Sequence, residues 1–216
     1  MSKIKSAAIL GLGTVGQSMA KELMAHNVEV LVADRNEELI SQIAPEVTYA
    51  VSADLSDAGA IKELGLKNMD VVIVCMSRNL EASIMCIMGA KEEGVPQVIA
   101  TASSSRTVEI FRKIGADRIF QPEVEEGILT ARKLLSSNFI DFFDLSENIS
   151  IVDMLPKEDW IGKSMRQLDL RKKHGINVIA VISHDLVDYL ADPDAPIPAD
   201  CHLLVAVNNK NLNQLI

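Results

Sequence analysis

The chain has 216 residues, 48% hydrophobic and 24% charged, with 30 Asp+Glu against 21 Lys+Arg and a formal charge of −9. A chain of that length buries roughly 70% of the surface its unfolded form exposes, so one large or two small folded domains are expected and disorder is excluded. The acidic balance leaves no electrostatic footprint for DNA or RNA and no attraction to anionic lipid, so no nucleic acid is expected as partner. Cys75, Cys86 and Cys201 form no CxxC pair, and their odd number argues against a disulfide framework. Cys75 and Cys86 lie among apolar neighbours and read as small buried hydrophobes, which suits a reducing cytosolic compartment. Met1-Ser2-Lys3-Ile4-Lys5 lacks a signal-peptide core, and no apolar run reaches the ~18 residues of a membrane helix.

Strands are predicted at Ala7–Leu10, Glu29–Ala33, Thr48–Val51, Asp70–Val74, Gln97–Ala102 and Arg118–Phe120. Val71-Val72-Ile73-Val74 is apolar at every position, as a parallel strand covered on both faces requires. Amphipathic helices are predicted between them, at Val15–His26, Glu37–Ile43, Ala58–Leu64, Leu80–Glu93 and Val108–Ile114. Several run into a stop signal, namely Gly65, Gly94-Val95-Pro96 and Gly115. Such alternation specifies an α/β fold, a Rossmann-like doubly wound parallel sheet.

The rhythm changes after Pro122. A helix is predicted over Glu123–Leu135, its apolar face supplied by Ile128, Leu129, Leu134 and Leu135. Ser136-Ser137-Asn138 and the aromatic cluster Phe139, Phe142 and Phe143 follow. The cluster reads either as a helix leaving one domain to offer Phe to a crossover or dimer contact, or as a hinge sealing two lobes. Beyond it, strands at Ile149–Leu155, Asn177–Ile182 and Leu203–Val207, a short helix around Ser164–Leu168 and the rigid loop Asp192–Pro198 describe a small α+β domain. The domains are expected to be 1–134, including the crossover helix, and 135–216.

Gly11-Leu12-Gly13-Thr14-Val15-Gly16 stands between the first strand and the first helix. Glycines there allow a tight turn and close approach to phosphate, and a helix N-terminus offers free N–H groups and a positive dipole end. Asp34, 18 residues past Gly16, ends the second strand where a carboxylate accepts hydrogen bonds from ribose hydroxyls. A glycine-rich turn without a ligand is the alternative. Asp34 disfavours a 2′-phosphate, although Arg35 beside it leaves some room, and the motif alone does not choose among NAD, ATP and ADP. His26, His174, His184 and His202 show no metal spacing and read as surface residues. No paired carboxylates, nucleophile elbow or Ser/His/Asp order suggests chemistry on a bound substrate, so a sensor is favoured over an enzyme. An NAD(P)-dependent oxidoreductase or a redox-linked sensor is the alternative reading.

The whole chain resembles the TrkA/KtrA-type RCK (KTN) regulatory subunits of bacterial potassium uptake channels. In the first domain the likeness rests on the Gly11–Gly16 loop, Ala33-Asp34-Arg35-Asn36, Tyr49–Asp54, Ile114–Ile119 and Gln121-Pro122-Glu123. In the second, an RCK-C domain, it rests on Trp160–Ser164, Arg171–Ile176 and the proline-containing loop before Leu203-Leu204-Val205. The resemblance implies a homo-oligomer, a dimer assembling to an octameric ring, on the cytoplasmic face of a membrane channel subunit of the TrkH/KtrB kind, with potassium passage gated by nucleotide exchange. By position, Gly11, Gly13 and Gly16, with Thr14 and Val15, form the phosphate turn and Asp34 and Arg35 meet the ribose. Ala53 and Asp54 flank adenine, and Met76, Ser77, Arg78 and Asn79 line the other wall. Many relatives carry Arg where this chain has Thr14, and often a basic residue where it has Thr101, so ATP, ADP and NAD/NADH all remain open. Glu123 matches a position that in some relatives holds Mg2+ or Ca2+, although Pro122 followed by Glu123 is also an ordinary helix start. The RCK-C likeness implies cyclic di-AMP on Arg171, His174, Ile176 and Asn177, with plain dimer packing as the alternative.

Overall fold

The computed structural model describes residues 4–135, 138–146, 148–184 and 186–214. Two compact units divide the chain, residues 1–125 and 126–216. Met1, Ser2, Lys3, Ser136 and Ser137 lie outside the described residues.

The first unit is built in chain order from β1 (Ser6–Leu10), α1 (Thr14–Ala25), β2 (Glu29–Asp34), α2 (Glu37–Ile43), β3 (Tyr49–Ser52), α3 (Ala58–Glu63), β4 (Val71–Val74), α4 (Leu80–Glu92), β5 (Gln97–Thr101), α5 (Ser105–Lys113) and β6 (Arg118–Phe120). Every predicted strand and helix is present, with ends shifted by at most a few residues. The six strands are parallel in the order β3-β2-β1-β4-β5-β6. Because side chains alternate across the sheet, Ala7, Ile9, Val30, Val32 and Ile73 form one core with residues of α1 and α2. Ala8, Leu10, Val72, Val74 and Val98 form the other, with Ile61, Ile87 and Phe111 from α3, α4 and α5. The chain reverses direction across the sheet between β1 and β4, and a parallel sheet of this kind opens a crevice at the carboxyl ends of those strands.

Helix α6 (Pro122–Leu135) opens with Pro at its first position, as predicted, and the division between units falls inside it. Leu129 packs on the second core, Arg132 and Lys133 pair with Asp144 and Asp141 at 2.8 and 3.0 Å, and the Arg132 guanidinium lies 4.5 Å from the Phe142 ring centre. These contacts group the later turns of α6 with the second unit, while Ile128 and Leu134 remain exposed.

The second unit continues with β7 (Phe139–Asp144), β8 (Ile149–Met154), α7 (Met165–Leu168), α8 (Leu170–Lys173), β9 (Ile176–Ser183), β10 (Leu186–Asp188) and β11 (Cys201–Asn208). Its antiparallel order is β10-β9-β11-β8-β7. The aromatic cluster lies in a regular element. It is strand β7, and an irregularity between Phe139 and Asp141 turns both Phe139 and Phe142 onto the buried face. Phe143 faces outward, 58% exposed. Trp160, buried between loop and sheet, is the bulkiest side chain of this core. Ser164 and Gln167 cap α7 reciprocally.

Asp117, in the turn before β6, joins three elements of the first unit. Its Oδ2 accepts from the Lys91 ammonium of α4 and the Val98 amide of β5, each at 2.6 Å. Partial burial acts to raise its carboxyl pKa, but those hydrogen bonds outweigh burial and hold it below the ordinary aspartate range. A depressed folded-state value stabilises above the unfolded pKa and loses that stabilisation as pH falls through the folded one. Asp117→Asn is therefore expected to lower the melting temperature at pH 7, with the gap to wild type closing as pH falls below about 4. Melting curves at pH 3 to 7 check this.

Candidate functional site

The glycine loop follows β1 and is fastened from two sides. Gly11 donates its amide to the Ala33 carbonyl at 2.8 Å, and Leu12 donates to Asp34 Oδ2 at 2.7 Å. The other oxygen of Asp34 accepts from the Asn36 amide at 2.9 Å. Asp34 thus holds the loop and the start of α2 together while its carboxylate borders the crevice. Gly11 has φ +102°, and a side chain there would run into Met76 and the Cys75 carbonyl. A Cβ at Gly16 would overlap the Gly11 carbonyl oxygen, so the turn closes only with glycine at both places.

Gly13 differs from both, because a Cβ there meets nothing. It is the N-cap of α1, with no side-chain cap and no acidic residue in the first turn. The next four helices are all capped by side chains, from Asn36, Asp57, Asn79 and Ser104. Amides that no side chain caps, at the positive end of a 12-residue helix and next to the empty Cβ position of Gly13, are what an anion needs. The residues present therefore fit a phosphate at Gly13, Thr14, Val15 and Gly16.

A cleft of about 300 Å³ lies beside this turn. Asp34, Arg35 and Asn36 line it after β2, Asp54 to Ser56 after β3, and Met76, Asn79 and Ala82 after β4. Of the predicted wall residues, Asp34, Arg35, Asp54, Met76 and Asn79 are brought together there. Ala53 lines a separate groove beside β3 with Asp54. Ser77 and Arg78 follow β4 outside the cleft lining; the Ser77 carbonyl accepts from Ser103 Oγ at 3.1 Å, and Arg78 is exposed. The apolar contributors Leu39, Leu55 and Ala82 were missed by motif reading, since their side chains belong to ordinary amphipathic patterns.

Thr101 is buried and donates from Oγ1 to the Val74 carbonyl at 3.4 Å, so it serves the sheet. Glu123 is exposed in the first turn of α6. Among the described residues no three His, Cys, Asp or Glu side chains group as a metal site. Burial pushes the Cys75 and Cys86 thiols up to about 12, and burial followed by the Asp200 charge raises that of Cys201. Near neutral pH all three are protonated and none is an activated nucleophile.

The second unit has its own cleft of about 600 Å³, lined by α7, α8, the first half of β9 and Tyr189, Leu190, Ala191 and Pro193. Arg171, Ile176 and Asn177 meet in it, and Arg171 Nε donates to Asn177 Oδ1 at 2.9 Å. His174 is not in that lining; its ring lies 5.4 Å from the Trp160 ring. The expectation of surface histidines fails at two positions. His174, at the end of α8, is half-buried on Trp160, and His202 Nδ1 in β11 lies 2.6 Å from Asp153 Oδ1 of the neighbouring strand β8.

The fold and loop define a Rossmann unit of the nucleotide-binding kind followed by a small antiparallel α+β unit. The TrkA-N domain family matches residues 7–122 and the TrkA-C domain family residues 149–216. Ktr system potassium uptake protein A of Bacillus subtilis (strain 168) is 33% identical over 213 residues, 98% of this chain and 96% of that protein. Ktr system potassium uptake protein C of the same organism is 36% identical over 177 residues, 82% of this chain and 80% of that protein. The chain belongs to the TrkA/KtrA family of potassium uptake proteins. Among solved structures, the GsuK RCK domain superposes with a TM-score of 0.65 at 16% identity, covering 99% of this chain. This chain spans about half of that longer one, 47% of its length, and the likeness concerns the fold.

The second and third glycines of the loop separate fold from ligand. Gly13→Ala is expected to cost at most about 1 kcal/mol of stability, since Ala is a poorer N-cap than Gly but meets no neighbour, yet to lose nucleotide affinity. Gly16→Ala is expected to destabilise the first unit by about 1–3 kcal/mol through overpacking. Denaturant unfolding with and without ADP checks both.

Proposed function

We propose that this chain is the nucleotide-binding regulatory subunit of a potassium uptake system, acting on a membrane transport subunit of the TrkH/KtrB kind and catalysing no reaction of its own. The observation that carries the nucleotide half is the uncapped start of α1 facing the open side of Gly13, beside a cleft that ends on Asp34. Family membership supports the transport half. No helix among the described residues is long and apolar enough to cross a membrane, and the chain works from the cytoplasmic face through its partner.

In this reading the amides of Thr14, Val15 and Gly16 hold phosphate, while Gly11 and Gly16 keep the turn tight. Asp34 takes the ribose hydroxyls with Arg35 at the rim, and Ala53 and Asp54 flank adenine. Met76, Ser77, Arg78 and Asn79 form the opposite side. A cleft of about 300 Å³ with Leu55 and Ala82 on its apolar side favours an adenine mononucleotide, ATP or ADP, and NAD/NADH is the competing ligand. The gate works by population shift: a nucleotide opens the transport subunit only as far as it prefers one assembly conformation over another. The assembly is a homo-oligomer, dimers joined in an octameric ring, and the functional domains, counted so that the crossover helix α6 goes with the first although its later turns pack on the second unit, are 1–134 and 135–216.

Glu123 is the candidate ligand for Mg2+ or Ca2+. When bound, the ion would neutralise phosphate charge, and Glu123 would hold it from an exposed helix start. A second ligand, cyclic di-AMP, is favoured by the 600 Å³ cleft of the second unit, where Arg171 and Asn177 are already joined beside Ile176.

ATP and ADP are expected to raise the melting temperature, equivalent to about 2.7 kcal/mol at a hundredfold excess over Kd. A clear preference for NADH or NADPH would favour a redox-linked sensor, and no shift with any nucleotide would remove the reading. Glu123→Gln should abolish the gain in nucleotide affinity produced by Mg2+ or Ca2+; an unchanged gain refutes the cation role.

A further inference from the structure

The two arginines of the second cleft are not equivalent. Arg171 is joined to a neutral amide, Asn177. Arg166, on α7, is instead held by a carboxylate: Nε donates to Asp194 Oδ1 at 2.6 Å and the guanidinium NH2 to Oδ2 at 3.1 Å. Such a two-pronged pair fixes orientation as well as charge.

The backbone brings Asp194 to this place. Arg166 donates its amide to the Pro193 carbonyl at 3.0 Å, Ile197 donates to Lys163 at 3.0 Å, and Gly162 donates to Ile197 at 2.9 Å. Ser164 and Pro196 form an antiparallel bridge. The loop predicted as rigid therefore runs along residues 162–166, and its Pro193 shares the cleft wall with Arg166. The hydrogen bond from Arg166 holds the Asp194 carboxyl below its ordinary range, so the pair stays ionised at neutral pH.

We infer that the Arg166–Asp194 pair is an affinity-setting lock on this cleft: Asp194 keeps Arg166 neutralised, so a phosphate-bearing ligand is read by Arg171 unless it displaces Asp194. The inference rests on the cleft taking a cyclic dinucleotide. It adds that the cleft's affinity for phosphate is restrained by its own loop. Both side chains are largely exposed, 68% and 60%, so either can be altered without disturbing the core.

The test is calorimetric titration of the full chain with cyclic di-AMP. Asp194→Asn is expected to tighten binding about two- to fivefold, the range an exposed ion pair spans. Arg166→Gln should change it little, because the neutralised Arg166 does not read the phosphate, and in the Arg166→Gln background Asp194→Asn should no longer tighten it, a coupling that independent charges do not produce. Asp192→Asn, the same charge change at a side chain that bonds the Asp194 amide and not Arg166, should tighten it less. Unchanged or weaker binding by Asp194→Asn, tightening retained in the double variant, or equal tightening by Asp192→Asn overturns the lock and leaves the cleft reading standing. Absence of binding heat in both wild type and Asp194→Asn overturns both.

Discussion

One carboxylate organises the candidate nucleotide site. Asp34, the last residue of β2, accepts the Leu12 amide on one oxygen and the Asn36 amide on the other. The first bond ties the glycine loop to the neighbouring strand end, and the second sets the chain that enters α2. Together with the Gly11 amide on the Ala33 carbonyl they join the loop after β1 to the turn after β2, so that the proposed phosphate turn and ribose wall form one surface. The group proposed to meet the ligand also shapes its site, so occupancy at the ribose can be felt by the loop that carries phosphate.

The helix starts show a division of labour. Four helices of the first unit satisfy their leading amides with Asn, Asp or Ser side chains, which is how a helix end avoids leaving donors without partners. Helix α1 begins on Gly13, which has no side chain to offer. The exception falls at the crossing point of β1 and β4, where the sheet opens its crevice. In the proposed reading the second unit meets the same kind of ligand with a different device, side-chain cations, one of them balanced by a loop carboxylate.

The first unit was legible in the sequence because both of its periods are strong. Val71–Val74 is apolar at every position, three of the helices end at glycines, and Gly11–Gly16 with Asp34 marks the switch point. The second unit was read less well, for local reasons. Phe139, Phe142 and Phe143 do not alternate as a strand should, because an extra residue at Ile140 breaks the period. Strand β10 has three residues, too few to register as a pattern. His174 and His202 looked like surface residues because nothing in their neighbours announces Trp160 or Asp153, which are brought to them only by tertiary packing. Similarly, Leu39 and Leu55 line the first cleft from patterns that otherwise serve only the core.

Hydrogen exchange measured with and without ADP addresses the central claim most directly, because it reports where amides become protected. Binding at the proposed site predicts slowed exchange in peptides covering residues 11–17, 34–39, 53–56 and 76–82, with the second unit unchanged. Protection confined to the second unit, or none at saturating ADP, would contradict the account.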